Sequence, residues 1–333
     1  MSAIPEREGD VALAEQLAVA RARIEAEVAK VVIGQNDVLE QIFVTILSGG
    51  HALLVGVPGL AKTLLVDSIA RTLSLGFDRV QFTPDLMPSD ITGTDVLEDD
   101  PATGRKRKVF LPGPIFTNIL LADEVNRTPP RTQAALLQAM QERRVTIGGT
   151  THAIPHPFFV LATQNPIEQE GTYPLPEAQL DRFLLEIRID YPTREEEARI
   201  ARATTGAPPP EIEAVIDGPT LESFQALVRR VPVSESFVSD AVDLVRRTRP
   251  AGESATDEIR SWVGWGAGPR ATQALVIGAK ARALLSGRVT PSTEDLHALA
   301  APVLRHRIVT SYAAEVDEID ADGVVDHVLR AST

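Results

Sequence analysis

The sequence predicts a parallel α/β core followed by a smaller α-helical domain, and three observations carry that prediction. Between about residues 51 and 190, short apolar runs alternate with helical patterns, the order that lays parallel strands beneath crossover helices. Within that stretch Ile119-Leu120-Leu121-Ala122 is apolar without alternation, as expected of a central strand covered by helices on both faces. At Gly206-Ala207-Pro208-Pro209-Pro210 successive prolines remove backbone donors and hold the chain extended; beyond them strand patterns nearly vanish. The 333 residues exceed what one compact core usually holds. The expected division is an N-terminal helix (1–30), an α/β core (31–205) and a helical domain (206–333).

Taken in order, Leu13, Leu17, Val19, Ile24 and Val28 recur among Glu, Arg and Ala at the spacing of an amphipathic helix. Asn36 is placed to cap a second helix, 37–47, that stops at Gly49-Gly50. Strands are expected at 51–55, 79–82, 119–122, 158–162 and 184–189. Residues 94–110 read as an inserted hairpin, with Val96, Leu97, Val109 and Phe110 flanking a turn-like stretch from Asp99 to Gly104. Its basic run, 105–108, reads as a solvated face balancing acidic neighbours in preference to a contact for an acidic partner. In the second domain, 221–230, 236–247, 270–285 and 293–304 read as helices.

Composition narrows the function classes. Hydrophobic residues make up 44% and charged residues 24%, ordinary globular usage. No apolar run is long enough to span a bilayer, and the first ten residues lack a basic segment followed by an apolar one. With no cysteine, disulfides and thiolate metal sites are excluded; the expected location is the cytoplasm. A net charge of -13 repels phosphate backbones, so nucleic-acid binding is not expected.

Directly after the first strand comes Gly56-Val57-Pro58-Gly59-Leu60-Ala61-Lys62-Thr63, followed by Leu64 and a helical apolar pattern. A strand, such a loop and a helix in this order aim backbone N–H groups and a helix N-terminus at a polyphosphate. Lys62 adds a point charge and Thr63 a hydroxyl able to ligate Mg²⁺. Ala61 stands where a second glycine is usual; the loop keeps its shape if residue 61 takes an ordinary helical φ. Asp123-Glu124 closes the central apolar run, at the strand end where α/β sheets bind ligands. There Asp123 would hold Mg²⁺ and Glu124 would polarise an attacking water. Asn165, after the run 158–162, sits at a matching strand end, where a neutral amide can bind a γ-phosphate and water without competing for the metal.

Together these residues resemble AAA+ ATPases. Leu180-Asp181-Arg182-Phe183 resembles the arginine-finger segment, and Gly266-Ala267-Gly268-Pro269-Arg270-Ala271 the second-sensor segment of the lid. In finer detail Asp123-Glu124-Val125-Asn126-Arg127, Ala162-Thr163-Gln164-Asn165-Pro166 and Gly171-Thr172-Tyr173-Pro174-Leu175-Pro176-Glu177 are similar to the MoxR family, whose insertions resemble those of the magnesium-chelatase motor subunit. The resemblance covers roughly residues 31–307. It implies a P-loop NTPase core of five parallel strands with helices on both faces, a helical lid and a homo-oligomeric ring, a hexamer, with ATP and Mg²⁺ at subunit interfaces. It implies that Val32 and Ile33 lie near the adenine, that Arg182 reaches a neighbour's site and that Arg270 contacts the γ-phosphate of its own subunit. Arg127 and Arg131 remain alternative interface arginines, and sequence does not assign cis and trans.

The implied activity is ATP hydrolysis that remodels or matures a protein client, with a von Willebrand factor A-domain protein as the suggested partner. The alternatives are the motor subunit of a metal chelatase and, against the acidic charge, a nucleic-acid motor. His152 and His156 are separated by Pro155, which spoils the helix a metal pair would need. Trp262 and Trp265 read as packing anchors, and His306 as part of a helix end or an interface.

Overall fold

The computed structural model describes residues 8–99, 105–167, 171–206 and 210–331; the hairpin turn expected at 99–104 falls largely outside the described residues, as do residues 207–209 of the proline run. In chain order the elements begin α1 (Glu8–Val28), α2 (Asn36–Leu47), β1 (Ala52–Val55), α3 (Lys62–Thr72), β2 (Phe77–Gln81), α4 (Pro88–Thr92), β3 (Gly93–Asp99) and β4 (Lys106–Pro112). Next come β5 (Ile119–Asp123), α5 (Pro130–Glu142), β6 (Arg144–Ile147), β7 (Thr150–Ala153), β8 (Phe159–Gln164), α6 (Glu177–Leu180) and β9 (Leu185–Arg188). The remainder is α7 (Arg194–Thr204), α8 (Gly218–Arg230), α9 (Glu235–Arg247), α10 (Asp257–Trp262), β10 (Val263–Trp265), α11 (Pro269–Leu285), α12 (Thr293–Leu304), β11 (Val309–Thr310), α13 (Tyr312–Val316) and α14 (Ala321–Arg330).

Five parallel strands form the central sheet in the order β2-β5-β8-β1-β9. Because side chains alternate along a strand, each strand serves two cores. Ala52, Leu54, Ile119, Leu121, Phe159, Leu161, Leu185 and Ile187 pack with α1, α2, α3 and the C-terminal helices. Leu53, Val80, Leu120, Ala122, Val160 and Ala162 pack on the other face against Leu136, Leu137 and Met140 of α5. Parallel register sends every carboxyl end to one edge of the sheet and every amino end to the other.

The N-terminal helix buries Leu17, Ala20, Ile24 and Val28, spaced as one helical stripe; Val19 is 62% exposed and off that face. It lies against α3, α8 and α11. A polar network fixes the same junction. Asp295, fully buried, accepts from Arg282 at 2.7 Å and Arg288 at 2.6 and 2.7 Å. Arg282 and Arg21 both reach Glu40. Asn36 does not cap α2: it is the first helical residue, preceded by Gln35 in the left-handed region (φ 59), whose amide instead donates to Leu60 O at 3.2 Å.

β3–β4 and β6–β7 are antiparallel hairpins. The basic run is paired across the first of them, Lys106 with Asp99, Arg107 with Glu98 and Lys108 with Asp95. His152 of β7 stacks on Phe110 of β4, ring centroids 3.8 Å apart, so the two hairpins share a contact. Trp262 donates its indole N–H to Asp317; Trp265, expected as a packing anchor, is 72% exposed at the end of β10, in a two-stranded ribbon with β11.

Candidate active site

The phosphate loop leaves β1 at its carboxyl end. Gly56 donates to Gln164 O at 3.2 Å, which stitches the loop to the end of β8, and an added Cβ at residue 56 would lie 2.6 Å from Ile189 O. Gly59 has φ 86. The condition set for Ala61 is not met: its φ is 55 and ψ 25, left-handed, the conformation that makes glycine usual there and costs an L-residue about 1–2 kcal/mol. Ala61 gives α3 no side-chain cap, so no N-cap side chain takes up the first-turn N–H groups, which are orphaned in any helix. The Lys62 ammonium donates to Gly56 O at 2.5 Å and Val57 O at 3.2 Å. Burial lowers its pKa, opposed by the nearby carboxylates of Asp123 and Glu124. Thr63 is the second residue of α3, Leu60 is buried, and Pro58, Gly59 and Leu64 are exposed. Val32 is buried and Ile33 half-buried, one turn from the Gln35 amide that holds Leu60 O.

Asp123 ends β5 beside this loop. Its Oδ1 accepts from Thr163 Oγ at 2.6 Å and its Oδ2 from Arg79 at 2.5 Å. The same Thr163 Oγ accepts from Glu124 N–H at 2.8 Å, so one hydroxyl ties both acidic residues to β8. Glu124 is left-handed (φ 57, ψ 50), and costly backbone of this kind clusters at functional sites. Its Oε2 accepts from Gln81 at 2.6 Å and pairs with Arg127 at 3.2 Å. Arg127, an alternative interface arginine by sequence, therefore lies against its own subunit's Glu124. Asn165 follows β8, is 5% exposed and accepts Ile167 N–H at 3.2 Å.

Arg182 and Arg270 are elsewhere. Arg182 donates to Leu137 O of α5 at 2.8 Å, and both arginines line one cavity with Asp181, Arg307, Gly50 and His51. His51 precedes β1 and Leu184, on the same wall, donates to His51 O at 2.7 Å at the entry to β9. This is the amino edge of the sheet. Three strand steps of about 3.3 Å separate the ends of β1, so about 10 Å of strand divides this cavity from the start of the phosphate loop. Arg270, placed by the resemblance at its own subunit's γ-phosphate, has its Nε 3.8 Å from Asp181 Oδ2. Its helix begins beside the segment 180–184.

Arg79, Gln81 and Thr163 were not singled out as site residues by sequence. The first two lie on β2, and only the strand order, with β2 beside β5, brings them to Asp123 and Glu124. Chemically, the carboxyl edge offers a loop of donors with one ammonium, a hydroxyl and carboxylate of the hard-oxygen type that suits Mg²⁺, and a second carboxylate held by neutral and cationic donors. That set suits phosphoryl transfer to water.

Residues 51–185 match the ATPase family associated with various cellular activities (AAA), and residues 259–328 match the AAA lid domain. The chain is 42% identical to Chaperone MoxR1 of Mycobacterium tuberculosis over 99% of this chain and 87% of that protein. It is 40% identical to the uncharacterized protein YeaC of Bacillus subtilis over 91% of each. A solved structure of a protein from Cytophaga hutchinsonii, 40% identical, superposes with a TM-score of 0.87 over 95% of this chain and 96% of that one. Loop, strand order and relatives agree along nearly the whole length, and the chain belongs to the MoxR family of AAA+ ATPases, nucleotide-binding ATP hydrolases with an α/β core and a lid.

Proposed function

We propose that this ATPase works as one subunit of a ring, a hexamer by the family's organisation, in which Mg²⁺-ATP held at the carboxyl edge of one subunit is completed by Arg182 and Arg270 from the amino edge of the next. The observation that supports this reading best is the separation of those arginines from their own phosphate loop, on one cavity wall with a single carboxylate, Asp181. A guanidinium is what the developing phosphoryl charge needs, and both arginines have their partners at Asp181 and Leu137 O and not on the phosphate loop.

Within a subunit Val32 and Ile33 flank the adenine, the loop N–H groups and Lys62 cradle the phosphates, and Asn165 orients water. Thr63 and Asp123 are the residues that would hold Mg²⁺, which when bound supplies charge neutralisation on the phosphate oxygens. Glu124 accepts the proton of the attacking water once its carboxylate leaves Gln81 and Arg127. The working units are an N-terminal helix (1–30), a core (31–205) and a lid (206–333). Turnover remodels or matures a protein client, in keeping with the name of the chaperone relative, and a von Willebrand factor A-domain protein is the partner that the family resemblance suggests. Among the described residues no helix is long and apolar enough to cross a membrane; we assign the work to the cytoplasm and, given the charge of -13, not to nucleic acid.

The test is Mg²⁺-dependent ATP hydrolysis by wild type and Arg182→Ala across protein concentration, with mass followed by light scattering. Activity that rises with assembly and falls about 10³-fold in the variant, assembly being kept, is the expected result. Activity proportional to monomer and indifferent to Arg182→Ala would remove the shared site.

A further inference from the structure

The finger segment is held by the lid, through a buried guanidinium outside the nucleotide motifs. Arg307 follows α12 and its side chain is 3% exposed. Its Nε donates to Asp181 Oδ1 at 2.8 Å. One terminal nitrogen donates to Phe183 O at 2.5 Å and to Asp181 O at 3.3 Å, the other to Leu184 O at 3.2 Å and to Val303 O. Residues on both sides of Arg182 are thus fixed to one group. His306, also buried, bonds Phe183 O through Nε2 at 3.2 Å.

Packing alone does not account for the charge pattern. Asp181 places its other oxygen 3.8 Å from Arg270, which is half exposed and shares the cavity wall with Arg182. One carboxylate therefore stands between a buried, multiply bonded guanidinium and an exposed one, directly before the finger residue. An arriving anion can take Arg270 from Asp181 without unpairing Arg307, and any shift of the lid is transmitted to residues 181, 183 and 184 together.

We propose that Arg307 and Asp181 form a joint by which the lid positions Arg182 for the neighbouring subunit's nucleotide, making Arg307 a positioning residue for hydrolysis in trans. This rests on the shared-site reading above. A planar fork meeting several acceptors is not replaced by an ammonium, so Arg307→Lys keeps the charge and loses the geometry. Asp181→Asn keeps the shape and loses the charge.

The experiment mixes full-length variants. Lys62→Ala subunits bind no nucleotide but carry an intact finger segment; Arg307→Lys subunits bind nucleotide but present a misplaced finger. Alone, Arg307→Lys should lose about tenfold or more in kcat, the scale of a small misplacement, with KM for ATP and assembled mass unchanged. Mixed with Lys62→Ala it should regain activity above the sum of the two. Asp181→Asn should behave alike, and decides the matter if Arg307→Lys does not fold. Wild-type turnover in both variants, or loss that Lys62→Ala subunits cannot restore although they restore Arg182→Ala, would overturn the joint and leave the shared site standing. Failure of Arg182→Ala itself to complement Lys62→Ala would overturn the shared site and the joint with it.

Discussion

The two edges of the central sheet are held in opposite ways. At the carboxyl edge Ala61 and Glu124 occupy left-handed backbone, α3 has no side-chain cap, and Lys62 is turned back on its own loop. At the amino edge Arg307, His306 and His51 are buried, each bonded to backbone groups of a neighbouring element. Costly backbone persists only where the surrounding structure over-determines it, and it clusters at functional sites; an edge bonded to several backbone groups is suited to presenting a side chain at fixed geometry. On the proposed reading, one edge receives and the other delivers.

The comparison breaks most sharply at Glu124. If the carboxyl edge performs the chemistry, Glu124→Gln keeps nucleotide binding and loses about 10³-fold in turnover, within the range for a lost general base; equilibrium binding of a fluorescent ATP analogue beside steady-state hydrolysis measures both. Equal turnover in the variant would move the base elsewhere. Arg270→Ala tests the other edge, with an expected loss of about 10²-fold, the scale of one missing charge-stabilising donor. Since Arg270 pairs with Asp181, that loss should be restored by mixing with Lys62→Ala subunits. An unrestored loss would return Arg270 to its own subunit's phosphate.

The rigidity of the amino edge has a pH signature. His51 accepts Val160 N–H at Nδ1 (2.9 Å) and faces Met140 O with Nε2 (3.3 Å), which fixes one neutral tautomer. Burial lowers its pKa to about 4, the Met140 carbonyl opposing and Arg143 assisting. The unfolded chain, with an ordinary imidazole near 6.5, takes up its proton first as pH falls. The stabilisation is therefore whole above about pH 6.5 and lost progressively down to about pH 4, about 3 kcal/mol in all. Burial lowers the pKa of His306 as well, which adds in the same direction. Urea midpoints between pH 7.5 and 4.5 measure the slope, and His51→Leu should flatten it. A slope unchanged by that substitution would place the acid sensitivity in other groups.

Much of the carboxyl edge is legible in the sequence, because its chemistry is local: strand, loop and helix follow one another from residue 51 to residue 72, and an apolar run states where Asp123 must lie. The amino edge is not. Arg307 meets Asp181 across 126 residues, and at the carboxyl edge too the part that escaped, Arg79 meeting Asp123 across 44, is a contact that depends on strand order and not on local sequence. The resemblance supplied Arg182 and Arg270 as residues and implied that Arg270 meets its own subunit's γ-phosphate; the structure has it against Asp181, a pairing no motif could state, since a motif carries no information on how a lid docks. Helices α8, α9, α11 and α12 were readable from their periodicity. Short elements such as β10 and α13, 3 and 5 residues long, have too few turns or alternations to show one.

The smallest expected effect is at Ala61, where the sequence reading made the loop's shape conditional on a helical φ and the structure has 55. Ala61→Gly should relieve the left-handed cost of about 1–2 kcal/mol while adding the entropy glycine gains when unfolded, about 0.5–1 kcal/mol. The net is a stabilisation of about 0.5–1 kcal/mol, a rise of about 1–3 °C in Tm. Gly59→Ala is its mirror. Its φ is 86 and an added methyl meets nothing within 4 Å, so backbone strain alone should lower Tm by a similar amount. Opposite shifts in a scan without nucleotide would mean that the chain holds the loop in its receiving shape before ATP arrives. A destabilising Ala61→Gly would mean that residue 61 is helical in the free protein and turns over only on binding, so that the strain is created by the ligand and is not built into the fold.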